Sequence, residues 1–498
     1  PDYIMNKIML VNPPARIYST SANFITYFPI GLLSISAMVK DTCDLKIFDC
    51  LVTDFEIRKS NSFTVYGTPS EKIKNTITDF KPDILGISIP FSTQIDSAID
   101  ICNICKDASP DTIVVFGGPH ASVRYKSLLE ETACDFCVIG EGEKTFYEFV
   151  KNYNSKLPLK DIEGLAYKMD GEIHFKPRKF LEDLDELPFP AYETINMDSY
   201  LNNKYLYGQR SSLSNSISMI TSRGCPYSCI FCSIKLHMGR KYRFHSPGYV
   251  LRHIKFLMEN YGISNFHFED DNISLDKHRF EQILDGIITG SLNIKWDTPN
   301  GVRADTLDGN LLKKIKRSGC EEITLGIESG NQYVVNSIIK KNISLDYMLF
   351  IIKQCKALKL KVNAFYVIGF PQETIENMKE TISLALDMYK RYDVLPVMHI
   401  ATPLYGTELY NICIENKLIK ENLTAKDFSM ATQILGEPLI SSTTFKREDI
   451  KKLARNYLLR LYLFRFQKEF LAYMFKHPLA TFIKILNRLN SLRKAYFG

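Results

Sequence analysis

The chain has 498 residues, 45% of them hydrophobic and 24% charged, which is typical of a folded protein with two or three domains. Its 62 lysines and arginines stand against 56 acidic residues, so the charge balance does not indicate nucleic-acid binding and we expect no nucleic-acid partner. No stretch approaches about 18 uninterrupted apolar residues and nothing resembles a secretory signal, which predicts a cytoplasmic protein without a transmembrane helix.

Residues 5–150 alternate short apolar runs with helical stretches. The runs are KIMLV (7–11), LKIFD (45–49), ILGISI (84–89), TIVVF (112–116) and FCVIG (136–140). This alternation predicts an α/β domain with a doubly wound, Rossmann-like parallel sheet, which binds ligands at the carboxyl ends of its strands. We therefore expect a large ligand to contact the residues at those ends: Asn12, Pro13, Ser88, Ser92, Thr93, Gly117, Gly118, His120, Glu141, Gly142 and Glu143.

A second alternation of strands and helices follows a connector. Residues 151–210 form the predicted connector, because they are charged and punctuated by proline, as in LDELPFPAYETI. Residues 211–430 contain six strand candidates: SISMITS, ISNFHFED, IKWDTPN, EEITLGIES, LKVNAFYVIGF and VLPVMHIATP. Six βα units predict a partial (β/α)6 barrel rather than an eightfold one. Residues 431–498 are predicted to form a helical, basic and aromatic C-terminal region.

Cysteine usage indicates a reduced compartment. Twelve cysteines are too few for a disulfide scaffold in a chain of this length. Two Cys-x-x-Cys pairs, Cys102/Cys105 and Cys134/Cys137, have no second pair or histidines beside them. The first lies in a helical pattern and the second runs into a strand pattern, so we expect ordinary buried thiols.

Three further cysteines have the spacing of a metal site. Cys225, Cys229 and Cys232 form C-x3-C-x2-C in TSRGCPYSCIFCS. Three thiolates this close in sequence converge only around a ligand, and thiolates prefer soft metals and iron–sulfur clusters, so a [4Fe–4S] cluster with one open iron is favoured. Structural zinc is one alternative, but it needs a fourth ligand, and the nearest candidates are His237 and the distant Cys320. Coincidental clustering is the other alternative.

This segment, with Phe231 before its last cysteine, resembles the cysteine loop of radical S-adenosylmethionine (SAM) enzymes. The resemblance implies that the open iron binds the amino and carboxylate groups of SAM, and that Phe231 contacts SAM. It also implies that reduction of the cluster cleaves SAM to a 5′-deoxyadenosyl radical, with electrons from a donor such as flavodoxin or ferredoxin. Two downstream segments fit the family: IGFPQET (368–374) resembles the segment near the adenine, and TPLYGT (402–407) resembles the closing strand.

The resemblance also implies SAM contacts at three strand ends. The matching positions on the second, third and fourth strands are Asp270 and Asp271 in FEDDN, Arg303 in NGVRAD, and Glu328 and Ser329 in LGIESG. Two of these positions have an ordinary alternative, because Arg303 would also fit an exposed surface cation and Asp270 a loop carboxylate. The residues that carry out the catalytic chemistry itself cannot be named from these motifs.

The first domain resembles the cobalamin (B12)-binding domain that precedes the barrel in one large radical SAM subfamily. The matching segments are LVNPP, PIGLLSISA, PDILGIS, VVFGGPHAS and VIGEGEKTF, so that the resemblance covers roughly residues 7–430. It implies that the strand-end residues of this domain bind cobalamin, although His120, in a helix-opening loop, equally fits a structural histidine. The Asp-x-His-x-x-Gly signature is missing, and the second strand ends in Asp49-Cys50-Leu51-Val52. Cobalamin is therefore expected to bind base-off without that histidine, unless the domain has lost the cofactor.

The resemblance supports two enzymatic hypotheses. The first is methylation of an unactivated carbon in a small-molecule, lipid or peptide-derived substrate, in which one SAM methylates cobalamin and a second generates the radical. The second keeps the cofactors but performs cyclisation, rearrangement or C–C coupling without net methyl transfer. A non-enzymatic iron–sulfur electron carrier is a third reading, and it would require a closed cluster with four ligands.

The C-terminal region is strongly basic. Residues 446–498 contain 13 lysines and arginines against 3 acidic residues, interleaved with large apolar and aromatic side chains. A helical cap on the barrel with a solvated basic face explains this composition. A peripheral helix on an anionic membrane is the alternative, which would favour an amphiphilic substrate.

Overall fold

The computed structural model describes residues 6–18, 24–207, 215–431 and 434–476, with side chains as far as residue 468. The end of the predicted connector, the start of the predicted barrel and much of the basic C-terminal region lie outside these residues. Two α/β units follow one another along the chain, and a helical region follows the second. The boundaries between them stay predictions.

The first unit contains a large mixed sheet and a small antiparallel one. Its strands are β1 (Lys7–Asn12), β2 (Ala15–Ile17), β3 (Asp44–Asp49), β4 (Glu56–Lys59), β5 (Thr64–Gly67), β6 (Ile84–Ser88), β7 (Ile113–Gly117), β8 (Phe136–Val138), β9 (Leu165–Met169) and β10 (Glu172–Phe175). Its helices are α1 (Ile30–Val39), α2 (Ser70–Phe80), α3 (Ile95–Ala108), α4 (Pro119–Glu131) and α5 (Gly142–Asn154). The small sheet has the order β2-β5-β4.

The large sheet has the order β10-β9-β8-β7-β6-β1-β3, and β3, β1, β6, β7 and β8 run parallel. Alternate residues of β1 enter two different cores: Met9 packs with α2, α3 and α4, whereas Leu10 packs with α1 and α5. Helices therefore cover both faces, and the predicted doubly wound sheet is confirmed. The strand order reverses between β1 and β6, which makes their carboxyl ends the expected ligand site.

The hairpin β9–β10 extends this sheet in antiparallel fashion, in a segment that the sequence analysis assigned to the connector. Asp170 and Gly171 have positive φ angles of 52° and 82°, as a two-residue hairpin turn requires. The Asp-Gly dipeptide between two short strand-like pieces was the available signal. The small sheet of β2, β4 and β5 also has no apolar run in its sequence, because all of its residues except Gly67 are half-buried or exposed.

The second unit is an open barrel. Its strands are β11 (Ser216–Met219), β12 (Ser222–Arg223), β13 (Arg243–Phe244), β14 (Asn265–Phe268), β15 (Lys295–Val302), β16 (Cys320–Glu328), β17 (Lys361–Ile368) and β18 (Leu395–Ile400). Its helices, with α6 before it, are α6 (Met197–Leu201), α7 (Ile234–His237), α8 (Pro247–Tyr261), α9 (Lys277–Thr289), α10 (Gly309–Arg317), α11 (Leu345–Ala357) and α12 (Ile375–Tyr392).

The barrel sheet has the order β11-β14-β15-β16-β17-β18, and all its neighbours are parallel. This confirms the six predicted strands and the partial barrel. The helices start where the sequence places caps: the Ser246 side chain accepts from Tyr249 N before α8, and Thr374 forms a capping box with Asn377 before α12. Trp296 is fully buried and packs edge-on against Phe268.

The C-terminal region is helical, as predicted. Its described helix is α15 (Arg447–Lys476), which packs against α12. Two more helices, α13 (Glu408–Glu415) and α14 (Ala425–Ala431), lie at the end of the segment predicted as barrel. None of the helices among the described residues has the length and hydropathy needed to cross a bilayer. The two Cys-x-x-Cys pairs are buried free thiols, as expected.

Candidate functional site

The cysteine loop lies between β12 and α7. Cys225, Cys229 and Cys232 are half-buried, whereas the other nine cysteines are buried. The loop begins at Gly224, whose φ is +83° and where a Cβ atom would lie 2.3 Å from the Lys241 carbonyl oxygen. Only glycine fits this turn without displacing the neighbouring backbone. The three thiols are therefore presented together on a tightly wound loop near the surface.

The donor set of this loop fits a cluster better than a single ion. No group of three Cys, His, Asp or Glu side chains among the described residues is arranged to hold one metal ion. Cluster cysteines bind different irons and stand further apart than the ligands of one ion. Burial raises the pKa of Cys225 and Cys229, but the nearby cations Arg303 and Lys341 act in the opposite direction and favour the thiolate.

Arg303, at the end of β15, reaches the cysteine loop. Its guanidinium lies over the ring of Tyr227, 3.6 Å from the ring centre, and is paired with Asp305 at 2.7 Å. The residue is 6% exposed, so it is not the surface cation that its sequence context also allowed. Its position links the third barrel strand to the loop.

Glu328, at the end of β16, is a buried and strained residue. It has a φ of +67°, and the pairing with β17 shifts register beside it. Its carboxylate accepts a hydrogen bond from Lys341 at 2.6 Å, and both side chains are 8% exposed. Strain and buried charge of this kind concentrate at functional sites. The neighbouring Ser329 is fully buried and its hydroxyl is bonded to Thr381, so that side chain turns away from the loop.

The two acidic residues after β14 differ in their surroundings. Asp270 is 2% exposed and accepts hydrogen bonds from the backbone and hydroxyl of Thr221 and from the hydroxyl of Ser222. Asp271 accepts a bond from Gly224 N at 3.2 Å, and burial, with Asp270 beside it, raises its pKa to about 7. Asp270 therefore anchors β12, while Asp271 directly adjoins the cysteine loop.

The segment after β17 closes the other side of the loop. Phe231 packs against Phe370, with 5.9 Å between their ring centres. Gly369 has a φ of +96°, and the Glu373 carboxylate holds this turn by accepting from Gly369 N and Phe370 N.

A cavity of about 960 Å³ lies where the carboxyl ends of the first sheet meet the barrel mouth. Its barrel wall includes Ser218, Glu269 and Asn300, which the sequence motifs did not single out. Its other wall includes nine of the residues predicted to contact a large ligand: Asn12, Ser88, Ser92, Thr93, Gly117, Gly118, Glu141, Gly142 and Glu143. Pro13 and His120 are not among the lining residues. His120 is 6% exposed, bonded to Ser92 at 2.8 Å, and its pKa is lowered to about 4 by burial and by Arg124.

The glutamates of the GEGE segment tie the two units together. Arg223, in the cysteine-loop strand, donates to Glu143 at 2.6 Å, and Arg243 forms a two-pronged contact with Glu141 at 2.7 and 2.9 Å. All four side chains are at most 11% exposed. These carboxylates are therefore engaged by arginines of the barrel unit, a partner that the sequence pattern did not indicate.

The cavity has features that fit a bound cofactor rich in hydrogen-bond donors. Gln94 is 5% exposed and lines the cavity beside the reversal point of the strand order. Its Nε2 faces the Pro13 carbonyl at 3.4 Å, whereas its buried Oε1 has no partner among the described residues. Gly118 has a φ of +95°, and a Cβ there would lie 3.0 Å from the Ile89 carbonyl oxygen. Gly118 therefore allows close packing against the Ile89 backbone, whereas the unmet acceptor of Gln94 suits cobalamin, whose corrin carries amide N–H groups.

The segments that follow β1 and β3 both reach the cavity at the reversal point, the second through Leu51. Ala15, Arg16 and Ile17 line it, whereas Asp49, at the end of β3, is buried away from it. Asp49 accepts hydrogen bonds from Asn12 at 3.0 Å and Tyr200 at 2.7 Å. The Asp49-Cys50-Leu51-Val52 segment after β3 contains no histidine, as the sequence shows. No histidine of the first unit is among the described lining residues.

Comparisons with known proteins agree with this architecture. A family model of the B12 binding domain matches residues 22–150, and one of the radical SAM superfamily matches residues 219–385. An uncharacterized methyltransferase of Pyrococcus horikoshii is 32% identical over 460 residues, or 92% of each chain. The cytidylyl-2-hydroxyethylphosphonate methyltransferase of Streptomyces wedmorensis is 28% identical over 83% of this chain and 82% of its own.

A solved structure shares the fold. It is the radical SAM methyltransferase TsrM from Kitasatospora setae with cobalamin and a [4Fe–4S] cluster bound, with a TM-score of 0.67 and 13% identity. The match covers 92% of this chain and 89% of that one. With a relative of 32% identity matching nearly end to end, the chain belongs to the radical SAM superfamily, as a member that carries a B12-binding domain ahead of its radical SAM domain.

Proposed function

We propose that this protein is a C-methyltransferase that acts on an unactivated carbon of a small-molecule, lipid or peptide-derived substrate. Its cofactors are a [4Fe–4S] cluster, SAM and cobalamin. When bound, the cluster and SAM supply the radical that activates a C–H bond, and cobalamin carries the methyl group. The observation that carries the proposal is the cavity of about 960 Å³ with walls from both units, which brings a cobalamin-sized space to the mouth of the radical SAM barrel.

We assign the residues of the chain to three roles: binding the cluster, binding SAM and positioning the loop. Cys225, Cys229 and Cys232 hold the cluster, and Arg303 and Lys341 favour the thiolate form of Cys225 and Cys229. We keep Phe231, Asp271, Arg303 and Glu328 as SAM-binding candidates, because each lies on or beside the cysteine loop or at the strand end facing it. Asp270 and Ser329 are assigned positioning roles instead, because their polar atoms are already bonded to Thr221, Ser222 and Thr381.

Cobalamin is proposed to bind with its dimethylbenzimidazole base detached from cobalt. The support is the apolar part of the cavity between the first sheet and α1, which Leu10, Gly86, Ile35 and Phe146 line. A Cβ on Gly86 would lie 2.7 Å from the Leu10 side chain, so the glycine allows Leu10 to pack closely against β6 in this wall. Electron paramagnetic resonance of the Co(II) form tests the proposal, and a hyperfine pattern from an axial nitrogen would contradict it.

Anaerobic reconstitution tests the activity. The protein, loaded with iron, sulfide and hydroxocobalamin, is incubated with a reductant, methyl-deuterated SAM and a metabolite extract. Methyl transfer predicts 5′-deoxyadenosine, S-adenosylhomocysteine and a product that carries the deuterated methyl group. A product with rearranged or fewer hydrogens and no added carbon would instead support cyclisation, rearrangement or C–C coupling.

Cysteine variants provide the matched control. Alanine at any of Cys225, Cys229 or Cys232 should abolish bound iron, visible cluster absorbance and SAM cleavage. Cys413→Ala, at a buried thiol of α13, should retain all three. A Cys225→Ala, Cys229→Ala, Cys232→Ala triple variant that still forms 5′-deoxyadenosine would end the cluster assignment.

The electron donor is proposed to be a small redox protein such as flavodoxin or ferredoxin. Radical SAM enzymes need a reductant, and the half-buried cysteine loop lies close enough to the surface for a protein donor. Reduced flavodoxin and ferredoxin should each be tried in place of dithionite, with 5′-deoxyadenosine as the readout. Cleavage supported by dithionite but by neither protein would contradict this assignment.

A further inference from the structure

Helix α15 has an inner face that belongs to the core. Ile450, Ala454, Tyr457 and Leu461 recur at helical spacing and are all at most 7% exposed. The Tyr457 hydroxyl donates to the Pro396 carbonyl at 3.2 Å, which ties the helix to β18. This part of the C-terminal region is therefore a cap on the barrel.

The outer face of the same helix is also apolar. Leu459, Tyr462 and Leu463 are 54%, 52% and 47% exposed, and are among the most exposed large hydrophobic side chains of the described chain. At 100° per residue they lie together on one side, roughly opposite Tyr457 and Leu461. About half of the surface of each of these three side chains is therefore in contact with water, in contrast to the buried inner face.

The apolar outer face is framed by cations. Residues 450–468 contain six lysines and arginines and no aspartate or glutamate. Arg455, Arg460 and Arg465 are all exposed and lie on or beside the outer face. The chain after it, residues 469–498, adds five more cations and one glutamate, with further apolar and aromatic residues. This continues the basic, apolar composition without a compensating acidic segment.

We propose that this outer face, defined by Arg455, Leu459, Arg460, Tyr462, Leu463 and Arg465, docks on an anionic lipid bilayer. A helix with exposed leucine and tyrosine flanked by arginines matches the chemistry of the headgroup region, where apolar side chains enter the acyl boundary and cations meet lipid phosphates. A second copy of the chain fits less well, because a symmetric contact through this face would bring the same arginines together. Docking through this face is independent of the reaction catalysed.

Co-sedimentation of the full-length protein with vesicles tests the proposal. The vesicles contain phosphatidylcholine alone or an equal mixture with phosphatidylglycerol, at low and physiological salt. We expect binding to the mixed vesicles and little to phosphatidylcholine alone. Each near-surface cation is worth about fivefold in binding, so Arg455→Gln, Arg460→Gln, Arg465→Gln together should weaken it by roughly 100-fold. Lys160→Gln, Lys168→Gln, Lys179→Gln, three exposed cations of the first unit, should leave it within about twofold.

The apolar side chains have their own variant and control. Leu459→Ser, Tyr462→Ser, Leu463→Ser should weaken vesicle binding by about tenfold or more, because their apolar surface can no longer leave water. Tyr333→Ser, Phe350→Ser, Leu435→Ser removes equally exposed apolar side chains elsewhere and should not. Circular dichroism confirms that each variant is folded.

The proposal is overturned if the wild-type protein does not bind mixed vesicles at either salt concentration. It is also overturned by a wild-type dimer that the outer-face variant converts to a monomer while vesicle binding is unchanged.

Discussion

The guanidinium of Arg303 lies 3.6 Å from the centre of the Tyr227 ring, so a strand-end cation and an aromatic residue of the cysteine loop form one stacked unit. The arginine is almost fully buried, which strengthens the attraction between its charge and the ring face. The orientation of the loop is thereby coupled to the third strand of the barrel.

Tyr227→Leu should lower the free energy of unfolding by about 1 to 2 kcal/mol, because it keeps most of the volume but removes the ring face. Tyr227→Phe keeps the ring and should stay within about 0.5 kcal/mol of wild type. Anaerobic chemical denaturation of the two apoproteins measures the difference. Equal destabilisation by leucine and phenylalanine would show that the contact with Arg303 contributes no stability.

Glu143→Gln should destabilise the protein by about 3 kcal/mol. The substitution leaves Arg223 buried with a weakened counter-charge, and an uncompensated buried cation is costly. Glu186→Gln is the matched control, because its partner Lys144 is exposed, and it should cost less than about 1 kcal/mol. Urea unfolding of both variants checks the prediction, and a cost for Glu143→Gln no larger than that of the control would contradict it.

Gln94→Leu should have opposite effects on the empty and the loaded protein. It removes a buried acceptor without a partner, so the apoprotein should be as stable as wild type or more so. It also removes one hydrogen bond worth about 1 kcal/mol to the cofactor, which should weaken hydroxocobalamin binding about fivefold. Absorbance titration and thermal unfolding supply the two measurements. Unchanged cobalamin affinity would show that Gln94 Oε1 does not meet the cofactor.

Glu373→Gln should remove a pH dependence of stability. Burial raises the pKa of Glu373 to about 7, well above its ordinary value, while two backbone N–H groups oppose the rise. The folded protein therefore binds this proton more tightly than the unfolded chain, and the resulting stability is present below about pH 4 and lost as pH rises to 7. Wild type should thus lose up to about 3 kcal/mol relative to Glu373→Gln between pH 4.5 and 7. Parallel slopes for the two proteins across this window would refute the assignment.

The parts of the fold that sequence predicted are those with continuous apolar runs. KIMLV forms β1, whose two faces are both covered by helices, and this requires a continuous apolar run. The six strands of the barrel sheet were likewise predicted from apolar runs. The hairpin β9–β10 was missed because most of its residues are half-buried or exposed, which left two short strand-like pieces around the Asp170-Gly171 turn as the signal.

The site was predictable where spacing along the chain carries the chemistry, as in the cysteine loop. It was not predictable where the role of a short polar side chain depends on which neighbour it forms hydrogen bonds with. Ser329 and Asp270 stand at the expected strand ends, yet Thr381 and Thr221 take up their polar atoms. Lys341 and Gln94 belong to no motif, and their importance follows only from buried partners that the fold brings close.

The shared cavity has a consequence for the lifetime of the protein. Because its walls come from both units, a ligand that fills it binds the folded arrangement and not the unfolded chain. Such a ligand at 100 times its dissociation constant adds about 2.7 kcal/mol to the free energy of unfolding. The thermal midpoint should therefore rise with cobalamin concentration. Protein made when cobalamin is scarce would unfold more often and be degraded faster by proteases. The supply of cobalamin would therefore control the amount of enzyme as well as its activity.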